Sequence, residues 1–180
     1  VSGTGIVLDM NANIFGVGAD TSTLVNVEGV YGSNQADQLS GDAMANIING
    51  SAGDDLLYGA MGADKLYGGS GSDVFKFASA AEIGVGDGNR DIIFDFDAGT
   101  DTTSVDKIDL TGLFGEDTSF FSFIGTDAFI LGETSQVRVA QNAGSRLLQI
   151  DADADAVVDA EIELSGFDGS GLDENDFSVG

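Results

Sequence analysis

Residues 32–76 read GSNQADQLS GDAMANIIN GSAGDDLLY GAMGADKLY GGSGSDVFK, five consecutive blocks of nine in one frame. Gly opens each block, at 32, 41, 50, 59 and 68; the sixth position holds Asp37, Asn46, Asp55, Asp64 and Asp73; the eighth holds Leu39, Ile48, Leu57, Leu66 and Phe75. One recurring column would arise by chance in a chain rich in Gly and Asp. Three in register over 45 residues define an internal repeat, and the repeat dictates the architecture. The last three residues of each block carry one large apolar side chain, enough for a short strand with one inward face, while the first six form a Gly-rich turn. Two blocks therefore make one coil of a flattened solenoid, with the eighth positions stacked as an apolar ladder inside and the sixth positions at the turns.

Residues 18 apart then sit one coil apart, about 4.8 Å by strand spacing. This pairs Asp37 with Asp55, Asn46 with Asp64, and Asp55 with Asp73. Two bare carboxylates that close repel by about 3–4 kcal/mol at an effective dielectric near 20. Several stacked pairs would oppose folding, and a divalent cation between each pair reverses the sign. Oxygen ligands from Asp side chains and turn carbonyls suit Ca²⁺ rather than a transition metal, and Mg²⁺ resists shedding water into such a site. Solvated turns that need no metal are the alternative reading; the repulsion weighs against it.

The rest of the composition points the same way. The 180 residues carry 31 Asp+Glu against 6 Lys+Arg, a formal net charge of -25, and Asp outnumbers Glu by 24 to 7. Asp is the carboxylate of turns and of hard-cation sites. A surface this acidic repels phosphate backbones and anionic lipid, so neither a nucleic-acid partner nor membrane insertion is expected. The absence of His and Cys removes most zinc sites, Ser-His and Cys-His nucleophiles, and haem ligation through either residue. Carboxylate chemistry is the enzyme class left open, and no pair stands out among the acids. At the same time, 42% hydrophobic residues with 12 Phe describe a chain able to fold once its charge is neutralised.

The blocks match the pattern G-G-x-G-x-D-x-U-x and resemble the calcium-binding repeats of the RTX, or hemolysin-type, family. GGSGSDVFK fits throughout, GSAGDDLLY and GAMGADKLY lack only the second Gly, GSNQADQLS has Gln35 at position four, and GDAMANIIN has Met44 there with Asn46 for Asp. The resemblance implies an all-β fold: a right-handed parallel β-roll, or β-solenoid, with Ca²⁺ between turns and a C-terminal β-rich cap. It also implies ligand sets, carbonyls of positions one and three with the first Asp, then carbonyls of positions two and four with the second. Carried over, the best site uses Gly50, Ala52 and Asp55 with Gly69, Gly71 and Asp73. Weaker candidates are Gly32, Asn34 and Asp37 with Ser51, Gly53 and Asp55, and Gly41, Ala43 and Asn46 with Ala60, Gly62 and Asp64. Asn46 marks either a weaker site or a plain turn. Beyond it, Gly59, Met61 and Asp64 would be closed by Asp91 and Asp95, where the frame itself gives Glu82; a solvated strand edge at Asp91 and Asp95 is the competing reading. Roughly three to five calcium ions are implied.

The flanks extend the solenoid. Residues 1–31 are read as lead-in coils: residues 6–10 make a short strand, and TLVNVEGVY (23–31) places Glu28 and Val30 at positions six and eight without the glycines. Residues 77–180 hold 11 of the 12 Phe once Phe75 is counted with them, and so concentrate the core. DIIFDFDAGTD and DKIDLTGLFG alternate polar and apolar residues as half-buried strands do. Phe120, Phe121, Phe123, Ile124, Phe129 and Ile130 supply bulk, residues 136–140 and 146–150 read as paired strands, 161–164 as another, and 78–83 as a short helix. This half resembles the C-terminal domain of serralysin-type secreted metalloproteases, on Asp73-Val74-Phe75, residues 91–96, Gly99, residues 106–110 and Asp176-Phe177. The protease chemistry does not carry over, since its zinc motif needs His. The run DADADAVVDAEIE resembles an EF-hand loop at Asp151, Asp153, Asp155 and Asp159, but Ala156 replaces the required Gly and Ile162 the bidentate Glu; a polar loop between strands is the better reading.

The resulting expectation is a non-catalytic module that folds on Ca²⁺ after type I secretion and stabilises or exports an attached protein. Its expected partners are the type I secretion apparatus, which the acidic-then-apolar tail GLDENDFSVG would address, and an upstream domain of the same polypeptide; its expected location is secreted and extracellular. The alternative is a carbohydrate- or surface-binding module of an epimerase-like enzyme or an adhesin, with polysaccharide as partner. Anionic polysaccharide would need a basic stripe, and only six Lys and Arg are present.

Overall fold

A computed structural model of the chain describes residues 5–10, 14–17, 20–22, 27–99, 105–114, 121–130 and 134–178. The N-terminal strands are β1 (Ile6–Asp9), β2 (Ile14–Val17), β3 (Asp20–Ser22) and β4 (Gly29–Tyr31). Positions seven to nine of the five blocks then form β5 (Gln38–Ser40), β6 (Ile47–Asn49), β7 (Leu56–Tyr58), β8 (Lys65–Tyr67) and β9 (Val74–Lys76). After the repeats come β10 (Asp91–Ile93), β11 (Lys107–Asp109), the one-turn helix α1 (Thr111–Phe114) and β12 (Phe121–Phe123). The chain continues through β13 (Ser135–Asn142), β14 (Ser145–Asp151), β15 (Ala160–Ser165) and β16 (Phe177–Ser178).

Successive repeat strands alternate between two sheets, so each pairs in parallel with the strand two blocks away. In one sheet Leu39 faces Leu57 and Leu57 faces Phe75; in the other Val30 faces Ile48 and Ile48 faces Leu66. This is the 18-residue coil that the nine-residue frame predicts and the parallel β-roll that the family resemblance implies. A one-residue slip would turn every inward side chain to solvent, and the single apolar residue per strand therefore fixes the register. The position-six carbonyl of each turn receives the position-seven N–H of the next coil, as in Leu56 to Asp37 and Val74 to Asp55.

The sheet orders are β16-β11-β9-β7-β5-β1-β2-β3 and β12-β13-β14-β15-β10-β8-β6-β4. Strands outside the repeats thus extend both sheets. β1 adds a parallel strand beside β5, and β2 and β3 turn antiparallel at that end. At the other end β10 and β11 continue the two ladders, followed by β15 on β10 and β16 on β11. Leu39, Leu57, Phe75 and Ile108 line one sheet and Ile48, Leu66, Ile93 and Leu164 the other, none more than 1% exposed. Burying each contributes about 1.5–3 kcal/mol.

Three expectations meet the structure differently. Residues 78–83 form a turn, not a helix: Glu82 spans from the Tyr58 hydroxyl (2.8 Å) to the Ala78 N–H (3.1 Å), and Ile83 is buried, so the segment is pinned at both ends and too short to repay helix nucleation. Ile130 is exposed rather than part of the bulk, while Phe129 lies under the Arg138 guanidinium. The alternation after Asp91 yields three-residue strands, because the roll is one position-eight side chain wide. Phe120, the start of TLVNVEGVY at 23–26, the end of DIIFDFDAGTD at 100–101 and the last two residues of the tail lie outside the described residues. Among the described residues no helix is long and apolar enough to cross a membrane.

Candidate metal centres in the turns

Position six immediately precedes a strand whose next-but-one side chain points inward, and its own side chain is drawn under the turn. Asp37, Asn46, Asp55, Asp64 and Asp73 are consequently at most 2% exposed. One oxygen of each carboxylate is spent on the previous coil: Asp55 Oδ1 accepts the Asp37 N–H (2.7 Å), Asp64 Oδ1 that of Asn46 (2.8 Å), and Asp73 Oδ1 that of Asp55 (2.9 Å). The columns continue past the repeats, with Asp91 Oδ1 on the Asp64 N–H (2.8 Å) and Asp106 Oδ1 on the Asp73 N–H (2.9 Å). Asp37, Asp55, Asp73 and Asp106 therefore stack along one edge of the roll, and Asn46, Asp64 and Asp91 along the other.

The second oxygens decide what these columns can hold. Asp55, Asp64, Asp73 and Asp91 each keep an Oδ2 that is buried and has no hydrogen-bond partner. An orphaned buried acceptor costs about 1–3 kcal/mol, and more when charged. Burial, ahead of the neighbouring carboxylates, pushes Asp55 and Asp64 up to about 7 and Asp91 up to about 8, and raises Asp73 as well. Each opening Gly is shaped around this oxygen: a Cβ at Gly50 would lie 2.2 Å from Asp55 Oδ2, at Gly59 2.3 Å from Asp64 Oδ2, and at Gly68 2.4 Å from Asp73 Oδ2. The glycines make room for the carboxylate, in addition to freeing the turn backbone.

The carbonyls sort in the same way. Between the turns at 50–55 and 68–73 the backbone bonds run from Gly53 N–H to Ser70 (2.9 Å) and from Ser70 N–H to Ser51 (3.2 Å). The carbonyls of Gly50, Ala52, Gly69 and Gly71 take no part in these bonds. These four carbonyls and the two carboxylates offer oxygen alone, with no nitrogen or sulfur, which is the donor chemistry of a hard cation such as Ca²⁺. The residues fit Ca²⁺.

In the last three blocks position two bends the backbone into the left-handed region: φ is 78° at Ser51, 68° at Ala60 and 96° at Gly69. A side chain there costs about 1–2 kcal/mol, partly offset by the greater chain entropy that Gly loses on folding. Ala60→Gly should therefore stabilise the calcium-loaded protein by about 0.5–1 kcal/mol, or roughly 1–4 °C in thermal melting. A lowered melting temperature would contradict the strain assigned to Ala60.

Asp91 and Asp95 do not share a corner. Asp91 opens β10 and stacks on Asp64, whereas Asp95, two residues past the end of the strand, accepts the N–H groups of Gly68 (2.9 Å) and Gly69 (3.0 Å) on the Asp73 edge. The strand crosses the roll between them. Glu82 is on neither column, being held by Tyr58. Two acids escape a reading confined to the glycine frame. Asp106 closes the Asp73 column, and its only sequence signal is Asp106-Lys107-Ile108-Asp109, positions six to nine of a block without the glycines. Asp42 donates its N–H to Asn46 Oδ1 (2.8 Å) and its Oδ1 accepts from Asn46 Nδ2 (3.4 Å), which brings a negative charge to the corner where Asn46 is neutral.

Stacked, cation-shaped turns on a parallel roll define a calcium-binding β-roll module, and the relatives agree. Residues 40–75 match the family model described as RTX calcium-binding nonapeptide repeat, in four copies. The fold is similar to the solution structure of the AlgE6R3 subunit of the Azotobacter vinelandii mannuronan C5-epimerase, at 26% identity and a TM-score of 0.60, over 99% of this chain and 84% of that one. It is also similar to the AlgE6R2 subunit of the same enzyme, at 27% identity and a TM-score of 0.51, over 85% and 93% of the two chains. No curated protein matches the chain by sequence. Residues 40–75 are thus RTX calcium-binding nonapeptide repeats, carried on a parallel β-roll similar to those two subunits.

Proposed function

We propose that this module is a calcium-triggered folding unit of a secreted protein, kept extended where calcium is scarce and closed around the ion outside the cell. The observation that carries the reading is the set of buried Oδ2 atoms without partners on Asp55, Asp64, Asp73 and Asp91. Without a cation these oxygens oppose burial; with Ca²⁺ in the corners they would become ligands. Five neighbouring pairs are available, Asp37/Asp55, Asp55/Asp73, Asp73/Asp106, Asn46/Asp64 and Asp64/Asp91, within the three to five ions expected. Five ions would bring the formal charge from -25 to about -15.

Export through a type I apparatus is compatible with this trigger: Phe177 pairs with Ile108, and Asp173 caps the turn before it, so residues 173–178 are ordered by β11 and would be free in a chain whose roll has not closed. An upstream domain of the same polypeptide would then be the cargo. Circular dichroism should show a coil-to-β transition as Ca²⁺ is added to chelated protein at pH 8, with a midpoint of about 10⁻⁴–10⁻³ M, as for extracellular calcium modules. An identical β spectrum in calcium and in chelator would refute the trigger.

The epimerase subunits favour a second reading, a polysaccharide-binding role. Five of the six cations weigh against it: Arg90 is buried with Glu161 and Glu163, Arg138 covers Phe129, Arg146 and Lys107 reach backbone carbonyls, and Lys76 sits over Tyr58, which leaves Lys65 and no basic stripe. Retention of the calcium-loaded chain on an immobilised polyuronate at physiological salt would restore that reading.

A further inference from the structure

We infer that the loop between β14 and β15 holds a separate calcium site, outside the repeats, built from Asp151, Asp153 and Asp159. One carboxylate oxygen from each residue lies within 4.8 Å of the other two. Oxygens on opposite sides of a calcium ion, each about 2.4 Å from it, are that far apart. An acidic cluster alone would be an ordinary solvated loop. The second observation is the state of Asp151: it is fully buried, its Oδ2 accepts the Ala156 N–H (2.9 Å), and its Oδ1 is buried with no hydrogen-bond partner. The strand that carries Asp151 thus buries a carboxylate oxygen for which the protein provides no donor. Ion pairs among the described residues all involve Arg90, so no protein cation neutralises the trio.

The sequence objections to a calcium loop here change meaning in the structure. Ala156, in place of the Gly that such a turn requires, adopts the left-handed conformation itself, with φ of 65°. Ile162, in place of the bidentate Glu, is a fully buried core residue of β15, and Asp159 supplies the third carboxylate from the strand approach instead. Asp153 is exposed and Asp159 half-buried, leaving the outer side of the ion to water. The site would fasten the hairpin of β14 and β15, which pairs with the roll through β10.

The test is a calcium count on the whole chain by equilibrium dialysis, with Asp153→Asn/Asp159→Asn as the variant. Asn keeps an acceptor for the Asp155 N–H that Asp153 holds and for the Ala152 N–H that Asp159 holds, while removing the charges. We expect one ion fewer per chain. In NMR spectra the amides of residues 152–157 should shift over a Ca²⁺ range whose midpoint rises in Asp153→Asn while the midpoint read at the amides of Asp55 and Asp73 stays put, so that failure of this site and failure of the repeat sites are told apart. An unchanged count, or loop amides that stay still up to 10 mM Ca²⁺ (roughly ten times the weakest extracellular sites), would overturn the inference. Should the double variant not fold, Asp153→Asn alone, at an exposed position, should weaken one class of site about tenfold, and equal affinity for all sites would overturn it.

Discussion

Asp55→Asn should raise the calcium concentration needed for half-folding at least about tenfold, equivalent to about 1.4 kcal/mol, and at pH 8 in chelator should leave the protein no less folded than wild type. Asp55 has this double effect because it stands between two stacked neighbours, donating its N–H to Asp73 Oδ1 while its own Oδ1 serves Asp37. The replacement keeps an oxygen for the Asp37 N–H and removes the charge on the buried second oxygen. In calcium two corners lose a charged ligand; in chelator two repulsions disappear. A side chain that only filled space would be destabilising in both conditions. Midpoints from calcium titrations at pH 8 followed by circular dichroism, with melting of the calcium-free protein at pH 5.5, separate the outcomes. Equal loss of stability in the two conditions would rule out a ligand role for Asp55.

The calcium-free protein should be more stable at pH 5.5 than at pH 8, contrary to the behaviour of most acidic proteins. Burial pushes Asp55, Asp64 and Asp106 up to about 7 and Asp91 up to about 8, whereas an unfolded carboxyl titrates near 4. Between those values the folded chain holds more protons than the unfolded chain, and unfolding free energy falls as pH rises. Each such carboxyl contributes a slope of about 1.4 kcal/mol per pH unit. Its stabilisation is full below about pH 4 and is lost through pH 7–8. Calcium must displace these protons, so the calcium midpoint should rise as pH falls from 8 to 6, with protons released on binding. Calorimetry in two buffers of different ionisation enthalpy would measure the release. A calcium-free protein that melts higher at pH 8 than at pH 5.5 would contradict the burial of these groups, and Asp55→Asn should flatten the dependence.

Both predictions depend on residues that were legible to different degrees. Position eight and position six follow from the nine-residue frame, because a strand alternates faces with period two and one apolar residue per strand leaves a single register. Asp37, Asp55 and Asp73 could be placed on one edge for that reason alone. Asp106 could not, since 33 residues separate it from Asp73 where the frame allows 18. Asp91 and Asp95 share one face of an extended segment, but that segment crosses the roll between them, so Asp91 reaches the Asp64 edge and Asp95 the Asp73 edge.

The amino-acid order by itself settles the roll, its width, its register and the hard-cation chemistry of its turns, since these are local and repeat every nine residues. Tertiary structure alone decides which acids beyond residue 76 continue the columns, which oxygens remain without a donor, and that Ala156 takes a left-handed turn that favours glycine. The physical reason is that periodic backbone pairing propagates from neighbour to neighbour, whereas the burial of a carboxylate oxygen depends on chain segments that loops of irregular length bring together.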